Sequence, residues 1–309
     1  MLKDSRRLAA LAAVGLWSTN AYVAGRALEQ MSVEWLLGVQ FGVAALVFGI
    51  LRLTQTRRAP SAQRPWPGLG ALALSVIGLS GTIFLQYLAF ALAPIVAANV
   101  LAYAWPLLAA VFIAVTRRTA AAGAGAALAV LGFAGVGLIF LGPGRDTTAA
   151  ATAPAWGYAA ALGSALCMTI YTLGSGRTSA TVTGLLLPAT TIGAAVAGVL
   201  IGIGEDSTPS IDALAAAAYL GLGPMAAGYG LWTHAMSGTG ATRLAPLGYA
   251  TPMLSTLLLL ATGATATTLT IAGIGLVLVC SLGVLAIDRP STTSAARDRP
   301  PVGSRKDWG

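Results

Sequence analysis

Charge is what this chain has least of. Only 9% of its 309 residues are Asp, Glu, Lys or Arg, where a soluble domain carries about 25%. So few charges exclude a soluble globular protein. Cysteine is nearly absent too. Cys167 and Cys280 both fall in apolar runs, so they give neither a disulfide framework nor a metal-ligand spacing, and we take them as packing residues. A single histidine, His234, makes no metal centre. No G-x-x-x-x-G-K-[ST] loop is present to hold a nucleotide. We expect no cofactor, no metal and no enzyme chemistry. What the chain does have is apolar residues (56%) and 38 glycines. The formal charge of +8 would suit a nucleic acid. Its distribution fits membrane topology better, so the expected partner is the lipid bilayer and not nucleic acid.

A membrane-crossing helix needs about 20 mostly apolar residues. That ruler gives ten spans: 8–26, 34–53, 68–91, 95–116, 121–142, 155–174, 182–203, 212–236, 243–263 and 268–287. The first follows Lys3, Arg6 and Arg7 like a signal peptide, but it lacks a cleavage region and ends in Arg26, so we keep it as a span. Lys and Arg in short loops mark the cytoplasmic side. With the N-terminus inside, only Arg26 and Arg145 of the 18 basic residues fall outside. The acidic loop residues Glu29, Glu34, Asp146, Glu205, Asp206 and Asp212 lie outside as well. Both termini are then cytoplasmic, and the Pro-, Ser- and Arg-rich tail 288–309 is expected to be disordered.

Proline, costly inside a helix, returns on a fixed interval. "VLAYAWPLLA" places Pro106 beside Tyr103 and Trp105, and "LGYATPMLST" places Pro252 beside Tyr249. Both Tyr and both Pro are 146 residues apart, and five of eight positions match between 101–108 and 247–254. Gly38 and Gly42 in the second span correspond to Gly198 and Gly202 in the seventh, a small-xxx-small pattern that means close helix packing. Gly78 and Gly81 in the third correspond to Pro224 and Gly228 in the eighth. Five spans is an odd number, so the two halves are inverted. The layout is an all-α membrane protein of ten transmembrane helices in two inverted five-helix repeats, 1–142 and 155–287, joined by a periplasmic linker 143–154. Matched interruptions in inverted halves point to a transporter's central site.

"GLWSTNAYVAGRAL" in span one, "NVLAYAWPLLAAVF" with its echo, and the five-plus-five layout together resemble the drug/metabolite transporter superfamily, in its ten-helix EamA-type branch. Within that branch the likeness is to bacterial exporters of aromatic amino acids. The resemblance implies export of small metabolites through a cavity lined by helices one, three, four, six, eight and nine, in a bacterial inner membrane. Two departures stand out. Many relatives carry an arginine in helix two, where this chain has Gln40, and a glutamate closing helix four, where it has Arg117 and Arg118.

Polar residues at membrane depth face a cavity or another helix. Trp17 and Asn20 share a face of span one; Ser75, Thr82 and Gln86 form a stripe on span three; Asn99, Tyr103 and Pro106 share a face of span four; Ser164, Met168 and Tyr171 share one on span six. For Ser, Thr and Met the ordinary alternative is interhelical packing. Trp17, Asn20, Gln86 and Tyr103 are harder to satisfy against alanine. The expected substrate-binding set is Trp17, Asn20, Thr82, Gln86, Asn99, Tyr103, Met168, Tyr171 and Tyr249. Gly78, Gly81, Pro106, Pro224 and Pro252 are the expected hinge or gate positions. His234 is a candidate for a proton or gating role.

Pro106 removes the donor that would meet the Ala102 carbonyl, leaving an acceptor where a cavity would tolerate one. Aromatic walls from Trp17, Tyr103 and Tyr249 offer a π surface to a ring or cation, and Asn20 and Gln86 can bond both ends of a zwitterion. The substrate expected is an aromatic or bulky neutral amino acid, carried by a monomer through alternating access. An exporter of drugs or lipophilic cations is the alternative. A remote rival is an intramembrane serine protease built on Ser80 of "GLSG" and His234, but His234 lies about 13 Å nearer the cytoplasm, far beyond proton-transfer reach. A non-transporting scaffold is the third class. No Asp or Glu lies within a span away from its ends, which favours facilitated transport over proton coupling.

Overall fold

The computed structural model describes residues 2–58, 67–116, 120–141, 154–175, 181–204, 208–236, 250–264 and 266–287. These form helices only, in ten stretches numbered here in chain order. Helix one runs Leu2–Ser18 and Asn20–Leu28, helix two Val33–Arg58, helix three Leu69–Leu92. Helix four is Ile95–Ala102 and Trp105–Thr116, and helix five Ala120–Leu141. Helices six and seven are Ala155–Ser175 and Val182–Ile203; helix eight runs from Ile211 through Met236; helices nine and ten are Ala250–Ala261 and Thr268–Ile287. Five stretches are long and apolar enough to cross a bilayer by themselves: those around Ser5–Leu28, Val33–Arg57, Leu69–Leu92, Val182–Ile203 and Ile211–Trp232. Large apolar side chains such as Leu46, Ile50, Leu53, Val199 and Val279 stay exposed, a surface suited to acyl chains and not to water. The tail 288–309 and the linker 143–154, apart from Pro154, lie outside the described residues.

Packing repeats under exchange of the halves. Helix one packs on eight as six packs on three; one meets nine as six meets four; two meets eight as seven meets three. Helices two and seven, five and ten, and four and nine pair with their own counterparts. Such a map is what a pseudo-two-fold relation between residues of the first and second half produces. The glycine pattern of helices two and seven needs correction. A Cβ on Gly38 would come 2.8 Å from Ile201, but Gly42, Gly198 and Gly202 have nothing within 4 Å. The two helices therefore touch near Gly38 and Ala197, and again where Gly193 admits the ring of Phe41, while Gly42, Gly198 and Gly202 line open space.

Four helices are irregular in their interior. Helix one loosens at Thr19, whose N–H and hydroxyl both bond the Leu16 carbonyl, three residues back. Helix four, expected as one kinked helix, is broken outright. Ala104 donates to Leu101 and Leu107 to Ala104, both three residues back, with Tyr103 and Ala104 as the turn. Pro106 falls in the first turn of the new helix, where a missing N–H costs nothing and the fixed φ helps. Pro106 has no N–H to give to the Ala102 carbonyl four residues back. Helices three and eight each contain a π-helical segment, Leu74–Ser80 and Gly221–Gly228. These segments start 147 residues apart, close to the interval that separates the prolines. Wide turns of this kind concentrate at functional sites.

Candidate functional site

Trp17 ties helix one to the interruption in helix eight. Its indole N–H donates to the Pro224 carbonyl at 2.9 Å. The ring packs edge-on to Tyr229, centroids 5.2 Å apart, and tilted against Trp232 at 5.4 Å. Gly228 makes the room: a Cβ there would stand 2.7 Å from the indole nitrogen. An indole held by one polar bond and two rings is a rigid aromatic platform.

One turn outward, the helix loosens at Thr19, whose hydroxyl meets that of Tyr219 at 2.8 Å, and restarts at Asn20. Asn20 is buried, and its Oδ1 accepts a hydrogen bond from the Tyr87 hydroxyl at 2.6 Å. Gln40, buried on helix two, approaches the same hydroxyl. Sequence reasoning singled out Trp17 and Asn20 but missed Tyr87, Gln40, Tyr229 and Trp232. Tyr87 was legible as the aromatic neighbour of Gln86 in helix three, on the next face round. Tyr87, Tyr103 and Tyr171 lie close to Tyr229. Helices three, four, six and eight thus send tyrosines to one region.

The remaining expected residues are placed differently. Thr82 is buried with its hydroxyl bonded to the Gly78 carbonyl, while its own carbonyl accepts from Ser164 at 2.8 Å. Ser75 closes onto Leu72. These hydroxyls are consumed by packing. Gln86 is half-buried. Asn99 is buried with its Nδ2 unpartnered. Met168 and Tyr171 are half-buried on helix six, where Gly78 lets the two backbones close: a Cβ on it would be 2.8 Å from that of Tyr171. Gly81 does the same against Cys167 at 3.1 Å. Pro224 is buried inside the second π segment, and Pro252 is buried in the first turn of the described part of helix nine. Tyr249 lies outside the described residues. His234 is exposed near the end of helix eight, whereas the Ser80 hydroxyl is buried and donates to the Ala189 carbonyl at 3.0 Å. No group of three or more His, Cys, Asp or Glu side chains is placed to hold a metal among the described residues.

A multi-pass membrane protein with repeated halves, helices interrupted in pairs and aromatic and amide groups converging between the halves is built as a transporter, not as an enzyme. The profile of the EamA-like transporter family matches residues 7–141 and again 155–286. The chain belongs to that family, within the drug/metabolite transporter superfamily. It is 29% identical over 273 residues to the aromatic amino acid exporter YddG of Ancylobacter novellus, covering 85% of this chain and 90% of that protein. It also aligns with a protein crystal structure at TM-score 0.62 and 26% identity, over 95% of this chain and 99% of that one.

Proposed function

We propose that this transporter exports aromatic and other bulky neutral amino acids across the bacterial cell membrane by alternating access between two inverted halves. Both termini are cytoplasmic, as the distribution of Lys and Arg favours. The observation that carries this is the pairing of a fixed aromatic platform, Trp17 with Tyr229 and Trp232, with the buried amide of Asn20 one turn away. A ring stacks on the first and a zwitterionic backbone bonds the second. Gln86, Asn99, Tyr103, Met168, Tyr171 and Tyr249 complete the proposed lining. Among the described residues no carboxylate is buried to neutralise a permanent cation, which counts against lipophilic cations as the main cargo. The similarity to an aromatic amino acid exporter points the same way.

The test is uptake of a panel of radiolabelled amino acids by liposomes containing the purified protein. Phenylalanine, tyrosine and tryptophan should enter faster than alanine or lysine. Movement of lipophilic cations alone would replace this function with that of a drug exporter.

A further inference from the structure

An asparagine side chain has two ends, a carbonyl that accepts and an NH2 that donates. Which end faces the ligand decides whether an ammonium or a carboxylate is recognised. At Asn20 the choice is made by its neighbours. The Tyr87 hydroxyl has one proton, and it is given to Asn20 Oδ1 at 2.6 Å. Gln40 approaches the same hydroxyl from helix two. Its carbonyl oxygen is sealed from solvent and has no partner, so it does not take the Tyr87 proton. The bond is directional: Tyr87 donates and Asn20 accepts.

Turning the Asn20 amide over would take this acceptor away from the Tyr87 proton, and Tyr87 is buried. A buried unsatisfied donor is costly, so the reverse polarity is the worse arrangement. The consequence appears at Asn20. Its Nδ2 has no protein partner among the described residues, and it is not sealed as the Gln40 oxygen is. A donor is left open one turn from the aromatic platform.

We infer that Asn20 receives the carboxylate end of the substrate through its NH2, and that Tyr87 is the positioning residue that fixes this polarity. This rests on the amino acid function proposed above. The experiment is competition against labelled phenylalanine in proteoliposomes, with 3-phenylpropionate (carboxylate, no ammonium) and phenethylamine (ammonium, no carboxylate). In the unmodified protein the acid should compete at a concentration about tenfold lower than the amine, the size of one charged hydrogen bond. Tyr87→Phe keeps the ring in the core but frees Asn20 to turn, and the ratio should fall towards one. Asn20→Asp, an acceptor only, should invert it. A substitution that merely loosened the fold would lower the rate and leave the ratio alone. Equal competition by acid and amine in the unmodified protein, or an unchanged ratio in Tyr87→Phe, overturns the inference while phenylalanine still moves. If phenylalanine does not move at all, the proposed function itself has failed.

Discussion

Trp17 shows how much one side chain can hold in place. Its N–H satisfies a carbonyl in the π segment of helix eight, and its ring fills the space over Gly228. Trp17→Phe removes the donor and should cost about 1 kcal/mol. Trp17→Ala also opens a cavity and should cost about 3–5 kcal/mol. Transport should fall in both, and further in the alanine variant, with membrane expression retained. Tyr103→Ala should likewise lower transport at normal expression. Wild-type rates in Trp17→Ala and Tyr103→Ala would return these residues to packing. Large polar residues in mid-span were legible because alanine-rich neighbours cannot satisfy them. Thr82 and Ser164 looked alike in the sequence, yet their hydroxyls bond nearby backbone carbonyls, since a short hydroxyl reaches a carbonyl that an indole or amide cannot. The bond of Tyr87 to Asn20 was hidden because it joins two helices across 67 residues of sequence.

At the scale of elements, several regular stretches were legible from hydropathy, though helix one begins six residues before the expected span, at Leu2. Val182–Ile203 and Thr268–Ile287 have the expected bounds, and helix two runs five residues further at its end. The interruptions were legible only as punctuation. Gly78, Gly81, Pro224 and Gly228 marked matched depths, but a π turn adds a residue without any residue type of its own. The break at Tyr103 and Ala104 precedes Pro106, because proline is comfortable in a first turn and not in mid-helix. Pro106→Ala and Pro252→Ala should favour more continuous helices, lowering the maximal rate more than the apparent affinity. Loss of affinity at an unchanged maximal rate would argue against a hinge. Gly78→Ala would drive a methyl to 2.8 Å from Tyr171 Cβ and 3.2 Å from its backbone. Overpacking of that kind costs about 1–3 kcal/mol, so the melting temperature in detergent should drop. Gly42→Ala, with nothing within 4 Å, should melt like the parent.

At the scale of the whole molecule, the centre between the halves is polar without being charged. All ten acids lie in loops, at helix ends or in the tails, and proton-coupled carriers titrate a buried carboxylate or a histidine. The single histidine is exposed at the end of helix eight. We therefore expect transport down the substrate's own gradient. An imposed proton gradient should leave the final level of uptake unchanged, and His234→Ala should behave like the parent. Accumulation above equilibrium that disappears in His234→Ala would assign the coupling to that residue.

The most direct measurement of the central claim is counterflow. Liposomes loaded with unlabelled phenylalanine are diluted into a trace of labelled phenylalanine, with no ion gradient. An uncoupled carrier with an aromatic and amide centre should accumulate label transiently, lose that overshoot in Trp17→Ala, and show none when the liposomes are loaded with lysine. Absence of any overshoot in the unmodified protein, while a lipophilic cation exchanges freely in the same liposomes, would contradict the account.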